Sequence, residues 1–266
     1  MIRLPAALLT LALALAAAPA PARAARSHDT DLSRTLAAGS VLEIDVLSGA
    51  IVASAASGER ASIQAHVTSG GDLDPAQVTV RAVRSGDRVV VCATLPGQRD
   101  CHDRSGGDDR GERRTWHDDV TVDVTVTVPA GVKLVADSVS GDVRATGLRG
   151  DVNVSAVQGD VTLSTSGRAR ATSVNGTLDV RLLPGTALAD SRFNTVNGTI
   201  RLALPRGADA TLQAETLSGT IRGENGVNFT KHDGDFVGHS GTAVLGSGAA
   251  RISLHAVNGE IVASLY

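Results

Sequence analysis

Apolar and polar positions alternate along the second half of the chain, in short stretches that each follow a glycine. Val143 and Ala145, Val152 and Val154, Val161 and Leu163, and Leu178 and Val180 fall on one parity. Asp142 and Arg144, Asp151 and Asn153, Asp160 and Thr162, and Thr177 and Asp179 fall on the other. A period of two predicts strands with one face buried and one face solvated. The leading glycines Gly141, Gly150, Gly159, Gly167 and Gly176 follow at intervals of 9, 9, 8 and 9 residues.

At alternate corners a five-residue motif recurs: apolar, small polar or amide, Gly, Asp/Thr/Glu, apolar. It reads Val139-Ser140-Gly141-Asp142-Val143, Val157-Gln158-Gly159-Asp160-Val161 and Val174-Asn175-Gly176-Thr177-Leu178. It returns as Val196-Asn197-Gly198-Thr199-Ile200, Leu217-Ser218-Gly219-Thr220-Ile221 and Val257-Asn258-Gly259-Glu260-Ile261. Leu47-Ser48-Gly49-Ala50-Ile51 is a looser copy. The glycines of the six full copies are 18, 17, 22, 21 and 40 residues apart. The last interval is about two periods, with a degenerate copy read at Ser240-Gly241-Thr242.

A strand, a glycine corner and a second strand, repeated about every 20 residues, predict a β-solenoid, a single-stranded parallel β-helix. Gly141, Gly159, Gly176, Gly198, Gly219 and Gly259 are its corner residues, because glycine reaches positive φ without a Cβ clash. With rungs in register, Ser140, Gln158, Asn175, Asn197, Ser218 and Asn258 form one column whose amides and hydroxyls can bond between rungs. An antiparallel sandwich with Asn-Gly and Ser-Gly hairpins is the alternative.

Upstream, residues 41–47, 63–68, 78–83, 88–92 and 120–128 also alternate like strands. Residues 25–40 read as a flexible lead-in, and 41–266 as one repeat domain. Residues 97–119 interrupt it: 12 of these 23 are charged and only Trp116 is large and apolar. That composition predicts an exposed loop.

Composition narrows the picture. The 266 residues include 29 Gly, 5 aromatics and 2 Cys. Frequent corners explain the glycine, and a narrow core without room for rings explains the scarce aromatics. Five aromatics supply no platform for stacking bases or sugars. Two Cys exclude a four-Cys zinc site and a disulfide-dense small domain.

Residues 1–24 read as a secretory signal peptide, with Arg3 as the positive region and Ala6–Ala18 as the apolar run. Ala22-Arg23-Ala24 gives the small-x-small cleavage pattern. The alternative is an uncleaved anchor. Export to the periplasm, the cell surface or the medium follows, with no transmembrane segment in the mature chain. Loss of Arg3 and Arg23 leaves 23 basic against 28 acidic residues, a formal charge of −5. That balance does not favour nucleic acid. In an oxidising compartment Cys92 and Cys101 are most simply a disulfide, with two free thiols as the alternative.

The S-x-S-G-D-V and V-N-G-x-I repeats resemble the DUF4097 group of bacterial secreted repeat proteins. So do Pro129-Ala130-Gly131-Val132 and the tail Gly246-Ser247-Gly248, Ile252-Ser253-Leu254, Val257-Asn258-Gly259. The resemblance covers roughly residues 41–266. It implies a β-helical repeat fold and a candidate adhesin, and carries no catalytic residues. The charged loop and the close Cys pair depart from it.

Several chemistries can be weighed on the residues. His102-Asp103, Asp108-Asp109 and His117-Asp118-Asp119 offer divalent-metal ligands. Five arginines of the same loop compete with a cation, and a solvated loop is the simpler reading. Recurrent Gly-Asp pairs lack the nine-residue unit of calcium-binding solenoids. The motifs G-x-S-x-G and H-E-x-x-H are absent. No cofactor is implied. The leading expectation is a non-enzymatic envelope module that binds an envelope component or itself. End-to-end association is expected because the last motif ends close to Tyr266 with no cap evident. The alternative is a polysaccharide lyase or hydrolase using outer-face Asp142 and Asp160 with Arg144, Arg201 and Arg222.

Overall fold

The computed structural model describes residues 26–95, 119–185, 188–232 and 238–266. The first strands are β1 (Arg26–Thr35), β2 (Val41–Ser48), β3 (Ile51–Ala55), β4 (Arg60–Ser69), β5 (Thr79–Ser85), β6 (Arg88–Thr94) and β7 (Val120–Val128). The regular stretch holds β8 (Lys133–Ser140), β9 (Val143–Leu148), β10 (Val152–Gln158), β11 (Val161–Thr165), β12 (Ala169–Asn175), β13 (Leu178–Leu182), β14 (Ser191–Asn197) and β15 (Ile200–Leu204). Then come β16 (Ala210–Ser218), β17 (Ile221–Glu224), β18 (Thr230–His232), β19 (His239–Leu245), β20 (Ala250–Asn258) and β21 (Ile261–Leu265).

The fold is all-β, in two large mixed sheets. Sheet A has ten strands in the order β1-β4-β7-β3-β9-β11-β13-β15-β21-β17. Sheet B has eleven, in the order β18-β19-β16-β20-β14-β12-β10-β8-β2-β6-β5. From β8 to β15 successive strands alternate between the sheets, and neighbours within each sheet are parallel. Each motif glycine therefore carries the chain from sheet B to sheet A. It is not the turn of a hairpin, so the antiparallel sandwich fails at these corners.

The motif copies stack in exact register along the sheets. Gln158 pairs with Ser140 and Asn175, and Asn197 with Asn175 and Asn258. Ser218 pairs with Asn258, and Ser48 with Ser140. The spatial order of the corners is thus Gly49, Gly141, Gly159, Gly176, Gly198, Gly259, Gly219.

That order corrects two expectations. The last copy lies between the copies at Gly198 and Gly219, not at an end of the stack. Residues 240–242 are no rung: they belong to β19, which runs antiparallel to β16 and covers that edge of sheet B. The expected all-parallel, single-stranded arrangement does not hold throughout: β16, β19 and β18 are antiparallel at one end of sheet B, and further antiparallel pairs stand at the other end of the stack. There β1, β4 and β7 extend sheet A, and β5 pairs antiparallel with β6 at the edge of sheet B.

Residues 26–35, inside the expected lead-in, form strand β1, in register with β4 over ten residues from Arg26↔Ser69 to Thr35↔Arg60. Its side chains are all exposed or half-exposed and mostly polar, so no buried apolar stripe announces it. Backbone pairing carries it.

The core is a slab of aliphatic side chains between the sheets. Sheet A supplies Ile51, Val143, Val161, Leu178, Ile200 and Ile261, each 0% exposed. Sheet B supplies Ile44, Ala136, Val154, Ala171, Phe193 and Leu254. Phe193 is fully buried, so the core does admit a ring. It is accommodated beside the small Ala171 of the neighbouring strand.

Candidate functional site

The corner is the unit from which the surface is built. A Cβ on Gly159 would lie 2.3 Å from the Gly141 carbonyl oxygen, and one on Gly176 2.1 Å from that of Gly159. Rungs approach so closely there that only glycine fits. The Gly159 N–H donates to the Asn175 carbonyl at 3.2 Å, and that of Gly176 to the Asn197 carbonyl at 3.1 Å.

Side chains reinforce the stack on both flanks of the glycine. Asn197 Nδ2 donates to Asn175 Oδ1 at 2.9 Å, and Asn258 Nδ2 to Asn197 Oδ1 at 3.0 Å. Just after the glycine, the Asp142 carboxylate accepts the Asp160 N–H at 2.9 Å. The Asp160 carboxylate accepts the Thr177 N–H at 2.7 Å. Three residues before the glycine, buried hydroxyls donate to the glycine carbonyl of the next rung. Ser138 reaches Gly49 at 3.1 Å, and Thr216 reaches Gly259 at 3.1 Å.

The outer face of sheet B carries three parallel columns. One is aliphatic: Leu47, Val139, Val157, Val174, Val196, Val257 and Leu217, the apolar residues two before each corner glycine. Leu217 is 52% exposed and Val139 44%. At about 4.8 Å per strand, seven rungs extend it to roughly 29 Å. The second column is acidic at both ends and polar between: Asp45, Asp137, Ser155, Thr172, Asn194, His255 and Glu215. The third brings Arg170 beside Arg192.

Where Gly238–Ser240 borders this face, a cavity of about 640 Å³ opens over Val196, Val257 and Leu217. That volume lies within the range of ligand-sized clefts. His255 Nδ1 sits 3.2 Å from Glu215 Oε2 at its polar side, with Thr172, Asn194 and His239 also lining it.

The outer face of sheet A is different. Arg144, Thr162, Asp179, Arg201, Val262 and Arg222 form a row. Arg144, Arg201 and Arg222 thus share a face. Asp142 and Asp160 stand at the corner with their carboxylates on backbone N–H groups. Arg222 pairs with Glu260, and Arg144 lies 3.7 Å from Asp142.

Of the loop candidates, His102, Asp103, Asp108, Asp109, His117 and Asp118 lie outside the described residues, as do Cys101 and the segment 1–24. Asp119 is described, and its carbonyl accepts the Gly70 N–H at 3.0 Å. Cys92 lies on β6. Among the described residues no group of three or more His, Cys, Asp or Glu could hold a metal. No helix among them is long and apolar enough to cross a membrane.

Two features of the outer and inner faces escape a sequence reading of the motif. The apolar residue before the Ser or Asn points outward, and the residue before that, often Ser or Thr, points inward. The parity of the preceding strand carries the signal: Ala171 and Ser173, or Phe193 and Thr195, are buried together.

No family model and no curated protein matches the chain. Solved structures are similar to it at low identity. One is a candidate cell adhesion protein from Clostridium sporogenes ATCC 15579, 9% identical, with a TM-score of 0.46, covering 90% of this chain and 100% of that one. Another is a candidate adhesin from Bacteroides fragilis NCTC 9343, 10% identical, with a TM-score of 0.38, covering 90% of this chain and 97% of that one. A third is a candidate adhesin from Parabacteroides merdae ATCC 43184, 10% identical, with a TM-score of 0.24, covering 90% and 96%.

Proposed function

We propose that the chain is an exported, non-enzymatic module of the cell envelope, a β-solenoid of the DUF4097 type that engages an envelope component through the outer face of sheet B. The observation that carries this reading is the uninterrupted aliphatic column from Leu47 to Leu217. Contiguous exposed apolar surface on a soluble fold marks an interaction site more often than it is incidental. This one is rigid and repeats at the strand spacing, which suits an extended or repeating partner. Its flanking Ser, Gln and Asn column supplies donors and acceptors at the same spacing.

The non-enzymatic part of the reading rests on the structural role of Asp142 and Asp160, each of which braces the next rung by accepting one backbone N–H. Export rests on residues 1–24, and the Cys92–Cys101 bridge on the compartment that export implies.

Washed envelope fractions test the reading. The purified protein is expected to sediment with them, and the variant Val157→Glu/Val196→Glu to stay in the supernatant while keeping its β-sheet circular dichroism. Equal sedimentation of the two proteins, or none by either, rejects this surface. Turnover of a polysaccharide, lost on Asp142→Asn or Asp160→Asn, would reject the non-enzymatic reading.

A further inference from the structure

The rung formed by β20 and β21 occupies a slot that the rest of the chain frames from both sides. β20 pairs with β14 from Ser191↔Ile252 to Asn197↔Asn258, and with β16 from Ala210↔Ala250 to Ser218↔Asn258. β21 pairs with β15 from Ile200↔Ile261 to Leu204↔Leu265, and with β17 from Ile221↔Ile261 to Glu224↔Ser264. Ile252, Leu254, Ile261 and Ala263 of this rung are 0% exposed. The slot thus selects an extended segment with alternating apolar residues around an Asn-Gly corner.

The rung reaches its slot by a short crossing. β19 and β20 flank β16 on opposite sides, β19 antiparallel to it and β20 parallel. Residues 246–249 must therefore span two strand spacings, about 9.6 Å, while reversing direction. Five Cα steps from Leu245 to Ala250 reach at most about 18 Å when straight, so the crossing is a short, tight turn with no room for further structure. Asp209 clasps it, accepting the Ser247 hydroxyl at 2.8 Å and the Ala249 N–H at 3.0 Å, and Thr211 Oγ1 donates to the Gly248 carbonyl at 3.1 Å.

We propose that residues 250–266 exchange between copies of this chain, the rung of one molecule filling the slot of a second and the reverse. Every strand pairing of the rung is identical whether slot and rung belong to one molecule or two. Only the crossing at 246–249 differs, and in the exchanged form it runs on from β19 without doubling back. Short hinge connections favour such exchange, because the open form only has to straighten them. The partner is a second copy because its segment alone is certain to carry the Val257-Asn258-Gly259-Glu260-Ile261 corner in the register the slot requires.

The test mixes two singly substituted full-length proteins, Asn197→Cys and Asn258→Cys, after co-refolding and mild oxidation. These positions are neighbours in the stack, so exchange brings the two thiols within bridging range between molecules. The control mixture is Asn175→Cys with Asn258→Cys, two strands or about 9.6 Å apart, beyond disulfide reach. Peptide mapping should find the 197–258 cross-link between molecules in about tenfold excess over the 175–258 cross-link. Equal yields of the two cross-links, or neither, overturn the proposal. Should a variant fail to fold, Thr199→Cys with Glu260→Cys, against Thr177→Cys with Glu260→Cys, reads the same geometry on the other side of the glycine.

Discussion

Asn258 Nδ2 donates to Asn197 Oδ1 at 3.0 Å across a sequence separation of 61 residues, whereas Ser218, only 21 residues after Asn197, lies one rung farther away. The amide column is thus ordered in space by stacking and not by chain order. Asn197 sits at its middle, accepting from Asn258 and donating to Asn175. Asn197→Ala removes both bonds and is expected to cost about 1–2 kcal/mol, at the low end because the amides are exposed. Chemical denaturation measures it. A cycle with Asn258→Ala should show coupling, since the two share one bond.

The corner glycines should not be interchangeable with glycines elsewhere. A Cβ on Gly159 would meet the Gly141 carbonyl oxygen at 2.3 Å, while Gly207 has nothing within 4 Å. Both have positive φ, 143° and 86°. Gly207→Ala should cost about 1 kcal/mol from backbone strain alone. Gly159→Ala must also separate two rungs, and should cost about 3 kcal/mol or more. Midpoints of thermal unfolding for the two variants decide it; equal losses would mean that the rungs can part without penalty.

The buried hydroxyl three residues before the glycine is a further test of the stack. Thr216 is 3% exposed and its Oγ1 donates to the Gly259 carbonyl at 3.1 Å. Thr216→Val keeps the shape and removes the donor, so it should destabilise by about 1–2 kcal/mol despite being more apolar. A neutral or stabilising result in denaturant titration would show that this carbonyl does not need the hydroxyl.

How much of this was legible in the sequence follows from the same residues. The corners and the inward strand residues after them were readable, because Val143 and Ala145 or Val161 and Leu163 obey strict alternation. Before the corner the alternation continues but residue type no longer follows it: Val196 is exposed while Thr195 is buried, because the hydroxyl finds a carbonyl and the Val faces the outer surface. A hydrophobicity pattern cannot report that. The rung order was hidden for a different reason. The copies at Gly198, Gly219 and Gly259 present the same chemistry, so spacing alone cannot tell which pair is adjacent. The antiparallel strand β1 was hidden because it is held by backbone bonds to β4, with little apolar side chain to bury. His255 and Glu215 come together only through the out-of-order rung, so no local motif could pair them.

The Asp209 clasp makes the crossing at 246–249 sensitive to acid. The Ala249 N–H, then the Ser247 hydroxyl, hold the Asp209 carboxyl below its ordinary range by favouring the ionised form. A carboxyl depressed in the folded state stabilises above its unfolded pKa, and loses that contribution as pH falls through the folded value. Protection of the Ala249 amide against hydrogen exchange, corrected for intrinsic rates, should therefore be constant near neutrality and fall only below the usual carboxylate range. Asp209→Ala should lower that protection at neutral pH and abolish its acid step, leaving the amides of β14 and β10 unchanged. An acid step of the same size in the Asp209→Ala protein would place the titrating group elsewhere. If the clasp also restrains exchange of residues 250–266, the same substitution raises the yield of the 197–258 cross-link between molecules, linking one carboxylate at a turn to the association of whole chains.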